Sequence, residues 1–108
     1  MPSSKSNETE LLKAVLEPLL DDFLHWFERS RSLLESQQMP FLSESEQSSL
    51  IERLKQSQQE VISAKILFKA TGGQVGIDTA VLVPWHRLVT ECWQVGSRWR
   101  TFNQNQRI

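Results

Sequence analysis

A chain of 108 residues fits one domain that buries about 65% of the surface its unfolded form exposes, so a single core is expected without disulfide or metal staples. Four Trp and five Phe stand without any Tyr, and with only four Gly and four Pro the composition favours long helices. The formal charge of −1 divides into 11 acids and 6 bases over residues 1–60, then 2 acids and 6 bases over residues 61–108. No dense basic stripe neutralises a row of phosphates, which argues against nucleic acid as a partner.

Asn7, with Glu10 three residues on, predicts a helix entry, because an amide oxygen can accept from first-turn amides and carboxylates suit the positive end of the dipole. Leu11, Leu12, Val15, Leu16, Leu19, Phe23, Trp26, Phe27, Ser30, Leu33 and Leu34 then recur at three- and four-residue spacing, with Leu20 and Leu24 broadening the stripe. The first helix should run to about Glu35. Pro18 lacks an amide donor and crowds the carbonyl of Ala14, which predicts a kink or, alternatively, two shorter helices with Pro18 in the first turn of the second.

Residues 37–42 break the pattern, and Ser43-Glu44-Ser45-Glu46 supplies a capping box for a second helix. Its seam is Leu50, Leu54, Ser57, Val61, Ala64 and Phe68, in the alternating steps of four and three that suit a left-handed helix pair. Thr71-Gly72-Gly73 ends it, since glycine takes the left-handed conformation that closes a last turn. Asp78 is the expected cap of a third helix carrying Val81, Trp85, Leu88, Val89, Cys92, Gly96 and Trp99 along one side, with Pro84 as a second kink.

Short connections between long helices make neighbours antiparallel. The expected fold is all-α, an elongated up-down-up three-helix bundle with proline kinks in helices one and three, over residues 7–102 between disordered tails 1–6 and 103–108. The alternative is an open hairpin whose third helix completes a dimer.

Chemistry is sparse. Glu17, Asp21, His25 and Glu28 share one helix surface and offer oxygen and imidazole donors, yet a bundle di-metal site needs carboxylates from several helices and a second Glu-x-x-His, which is absent. A solvated face opposite the Leu and Phe stripe explains the row better, so no metal or other cofactor is expected. The lone Cys92 cannot form an intramolecular disulfide and reads as a small buried hydrophobe in a reducing compartment. The cluster Gly72-Gly73-x-x-Gly76 lacks the basic residue of a phosphate cradle. The N-terminal stretch lacks the apolar core of a secretory signal, and no segment approaches the roughly 20 apolar residues of a membrane span, so a soluble, cytoplasmic protein is expected.

The informative feature is apolar width. On a 100° wheel the third helix's stripe is flanked by Leu82, Val89 and Trp93 on one side and by Val95 and Phe102 on the other, covering about half the circumference where roughly 100° suffices. Mutual burial in the bundle can use part of that surface, and a partner protein or a second copy the rest. His86, Trp93 and Arg100 recur at seven-residue steps along its border, and Trp with Arg is a pairing enriched at interface hot spots. Trp93 is the expected anchor, with His86, Arg100, Leu82 and Phe102 around it. A small-ligand carrier is the alternative, with a tetrapyrrole, pigment or lipid near His86, Trp85 and Phe23. A metal protein on Asp21, His25 and Glu28 is weaker.

The strings at residues 16–23 (LEPLLDDF), 26–30 (WFERS), 68–78 (FKATGGQVGID) and 84–93 (PWHRLVTECW) resemble a small cyanobacterial family whose domain has no known function, over residues 9 to 100. The resemblance implies a cytosolic protein of a photosynthetic bacterium and admits peripheral association with a thylakoid complex. It supplies no catalytic or binding residues.

Overall fold

The computed structural model describes residues 3–72 and 79–106, and these form three helices: α1 (Ser3–Ser36), α2 (Glu44–Ala70) and α3 (Thr79–Gln106). Pairings along the helices fix the topology. Lys65 meets Asp21, Arg31 reaches Gln58 and Gln47 reaches Leu34, so α2 runs antiparallel to α1. Arg53 grips Glu91, and Arg98 lies over Phe41 just before α2, so α3 runs antiparallel to α2. Phe23 meets Trp85 and Trp26 meets Trp93, which makes α1 and α3 parallel. The up-down-up order is thus as expected, and the body is elongated at 66 × 25 × 19 Å.

The best-defined boundary is the start of α2. Ser43 sits in extended backbone, its hydroxyl accepts from the Glu46 amide at 3.0 Å, and the Glu46 carboxylate accepts from the Ser43 amide at 2.9 Å. Its first turn also holds Glu44, and its last turn Lys69, both matched to the helix dipole. At the exit the Thr71 amide donates to the Leu67 carbonyl and the Gly72 amide to the Lys69 carbonyl, with Gly72 at φ 63°, where a side chain would be strained.

Two boundaries differ from expectation. α1 begins at Ser3, which puts Asn7 inside the helix and not at its cap, and α3 runs to Gln106, so segments 3–6 and 103–106 are helical. Neither segment contains glycine or proline, and an adjoining helix propagates more easily than it nucleates. Asp78 lies outside the described residues. Pro18 and Pro84 both sit within single helices, so α1 is one helix and not two.

Helix α1 packs more extensively on α2 than on α3. The core joins Leu20, Phe23, Phe27 and Leu34 of α1, Leu50, Leu54 and Val61 of α2, and Trp85, Leu88, Val89, Cys92 and Val95 of α3. The α2 seam is buried at Leu50, Leu54, Val61 and Phe68 and half-buried at the small residues Ser57 and Ala64. Leu20, expected at the margin of its stripe, is fully buried, whereas Val81, expected on the core line of α3, is exposed. Leu11, Val15, Ile62, Ile66, Leu67, Val81 and Val83 are exposed as well, all at the end where α1 and α3 begin and α2 finishes.

The opposite end is closed by a polar plug. Gln47 is 4% exposed, and its side-chain amide donates to the Leu34 carbonyl at 2.8 Å and to the Gln37 carbonyl at 2.7 Å while its oxygen accepts from the Met39 amide at 2.8 Å. One side chain thereby satisfies a carbonyl in the last turn of α1 and the connection after it. Met39 itself is wholly buried beneath that connection.

Candidate functional site

Helices α1 and α3 lie parallel but do not close on one another along their full length. Over residues 26–33 of α1 and 92–100 of α3 they leave a groove of about 730 Å³. Trp26 and Trp93 meet edge to face across it with ring centroids 5.4 Å apart. Leu33 and Trp99 continue the apolar lining, Arg29 and Arg100 supply charge, and Ser30, Cys92, Gly96 and Ser97 make up the remainder.

The local sequence explains the opening. Ser30 and Gly96 present almost no side chain between the helices, so neither fills the space there. A Cβ built on Gly96 would touch only Arg100 Nη1, at 3.6 Å, which is ordinary van der Waals contact, so the backbone there does not demand glycine. Trp93 is held on one flank by Trp26 and is still 48% exposed. Arg29 places its guanidinium 5.7 Å from the centre of the Trp26 ring, on the same helix one turn away. Trp99 stacks on Phe102 with centroids 5.9 Å apart.

Among the described residues, ion pairs engage several of the surface cations but neither of the two on the groove. Arg53 and Glu91 form a two-pronged ion pair at 2.6 and 2.8 Å between α2 and α3, which holds the Glu91 carboxyl below its usual range. Arg31 pairs with Glu35 and Lys65 with Asp21. Among the described residues Arg29 and Arg100 join no ion pair, and no carboxylate lines the groove. Cys92 sits at its inner edge. Burial pushes its thiol up to about 11, opposed by a weaker hydrogen bond with Ser30. A thiol so protonated is a poor nucleophile.

The expected site residues divide among several places. Trp93 and Arg100 line the groove, and Phe102 borders it through its stack on Trp99. Leu82 is half-buried against the core toward the other end, and His86 is exposed two helical turns before Trp93. The three residues of the ligand alternative are not brought together around a space: Phe23 and Trp85 are buried and pack edge to face at 5.7 Å, while His86 stays outside. Asp21, His25 and Glu28 are exposed, and Asp21 is engaged by Lys65. Among the described residues no three His, Cys, Asp or Glu side chains gather as a metal site would require.

The groove also contains residues that reading each helix alone assigned elsewhere. Trp26 was expected in the seam of the first helix and Trp99 in that of the third, and both are only half-buried. Arg29 carries no separate signal, although its spacing of three from Trp26 places it over that ring.

Among the described residues no helix is long and apolar enough to cross a membrane. No curated protein and no solved structure matches the chain. The profile of one family, described as a protein of unknown function, DUF2605, matches residues 6–101. With nearly the whole three-helix body inside that match, the chain belongs to the DUF2605 family.

Proposed function

We propose that the chain is a non-enzymatic interaction module that binds a partner protein, or a second copy of itself, through the groove between α1 and α3. It acts as an assembly or regulatory factor in the cytoplasm of a photosynthetic bacterium, at the periphery of a larger complex. The observation that carries the reading is Trp93, among the described residues the one large aromatic left substantially in solvent, on a helix whose other wide-stripe residues are buried (Val89, Val95) or half-buried (Leu82, Phe102). Leaving about half of such a ring in water forgoes roughly 1–1.5 kcal/mol of burial, and aromatic residues with arginine dominate protein-binding hot spots.

The test is affinity purification from the native host with wild type and Trp93→Ala, together with light scattering on both. The reading expects a specific partner, or self-association, that the substitution abolishes while the helical circular dichroism is kept. An unchanged partner set and oligomeric state would remove Trp93 from the binding surface.

A second reading, a small-ligand carrier, is favoured by one number. The groove volume of about 730 Å³ lies in the range of about 300–1,000 Å³ occupied by small-molecule sites. The ligand would be a tetrapyrrole, pigment or lipid lying on Trp26, Trp93 and Trp99, away from the Phe23 and Trp85 pair. A colourless protein from its host with a single unliganded mass under native conditions would end that reading.

A further inference from the structure

The character of the partner can be taken one step further, resting on the reading of the groove as a protein-binding site. The charges around the groove point one way. Among the described residues the two cations on the groove join no ion pair and no carboxylate lines it, whereas Arg31, Arg53 and Lys65 each hold a carboxylate. The chain as a whole is acidic, with a sequence pI near 6.1, so the groove is a local inversion of its charge. From Cys92 to Gln106 the third helix contains Arg98 and Arg100 and no acid, and Arg98 is already engaged over Phe41 at 4.2 Å, which leaves Arg100 as that segment's open guanidinium.

We infer that the groove receives an acidic segment of a partner protein, with one apolar side chain seated between Trp93 and Trp99 and flanking Asp or Glu carboxylates reached by Arg29 and Arg100. The arrangement suits this chemistry because a guanidinium offers a planar fork of donors that matches a carboxylate. Beside an aromatic floor from which a bound chain excludes water, each such pair gains over its value in open solvent. Selectivity follows from the same layout. A basic segment would bring like charge against both arginines, and a wholly apolar one would bury them without partners.

The experiment is selection of a random peptide library displayed on phage against the immobilised full chain, followed by affinity measurement of the enriched peptides. Wild type, Trp93→Ala, Arg29→Gln and Arg100→Gln are compared, with thermal melts confirming that each variant folds. The expected result is enrichment of Asp or Glu within a few positions of a large apolar residue. Either arginine substitution should weaken binding about tenfold, the loss expected for a charge pair at an interface hot spot, and wild-type binding should fall as salt is raised. Neutral or basic peptides that bind in a Trp93-dependent manner, indifferent to Arg29→Gln and Arg100→Gln, would overturn the acidic partner and keep the groove. Peptides whose binding ignores Trp93→Ala, or no enrichment at all, would overturn the groove reading with it.

Discussion

Replacing Gln47 by leucine tests the physical account of how the fold is held at the end that frames the groove. The substitution keeps nearly the same volume and removes three hydrogen bonds at 2.7–2.8 Å, leaving the Met39 amide and the carbonyls of Leu34 and Gln37 without that partner. A buried polar group left unpaired costs about 1–3 kcal/mol. The Met39 amide carries the full penalty because its residue is wholly buried, while the Gln37 carbonyl sits closer to solvent and can recruit water. The total is about 3 kcal/mol against a stability of roughly 5–15 kcal/mol. For a domain of this size that lowers Tm by roughly 12–24 °C.

The assay is thermal and urea unfolding of Gln47→Leu beside Gln56→Leu, an exposed position on the same helix that should shift stability by less than about 0.5 kcal/mol. Gln47→Glu adds a pH signature. Its carboxylate would face two carbonyl oxygens, so the protonated form is favoured in the folded state and the native pKa is raised. The stability of Gln47→Glu relative to wild type is therefore lowest at neutral pH. It recovers as pH falls toward the ordinary glutamate value of about 4.3, where the carboxyl is protonated and donates again. A melting temperature for Gln47→Leu matching that of the Gln56→Leu control would refute the reasoning.

Three further outcomes are expected. Cys92, with its thiol pushed up to about 11, should label slowly with a thiol reagent at pH 8, where about one molecule in a thousand carries the thiolate, and quickly once the chain is unfolded; immediate labelling of the folded chain contradicts its burial. Gly96→Ala should raise stability by about 0.5–1 kcal/mol through helix propensity while its methyl group, against Arg100 Nη1, narrows the groove and weakens partner binding, a stability gain and a binding loss readable in one variant. Glu35, Glu46 and Glu91 are held below their ordinary range by Arg31, the Ser43 cap and Arg53, so their contribution is present above about pH 4.3 and is lost as pH falls through their lowered native values. Melts of Glu91→Gln should show a shallower loss over that acid range than wild type.

How much of this was legible in the sequence depends on whether a feature is local. The Ser43 and Glu46 box, the Gly72 exit and the α2 seam are all set within a turn or two, and they stand where spacing puts them. The start of α1 was misplaced because Asn7 caps a helix only if the chain before it leaves the helix, and nothing in residues 3–6 makes it do so. Val81 was assigned to the core from its wheel position, yet burial also requires a neighbour at that height of the bundle.

The groove was half legible. Trp93 and Arg100 emerge from the border of one helix, while Trp26 and Arg29 belong to another and join them only through the parallel register of α1 and α3. Gln47 gave no signal, since its three partners all lie 8 to 13 residues before it, across the turn at residues 40–42.

The central claim is that a partner occupies the space between Trp26, Trp93 and Trp99. The chain has four indoles, and the fourth, Trp85, is sealed in the core at 2% exposure, so they form a built-in map. Indole N–H resonances of the isotopically labelled chain, assigned by single Trp→Phe variants and followed as the captured partner or a selected peptide is added, give the most direct reading. The account predicts that Trp26, Trp93 and Trp99 shift together while Trp85 holds still. A bound complex in which those three are unmoved would contradict it.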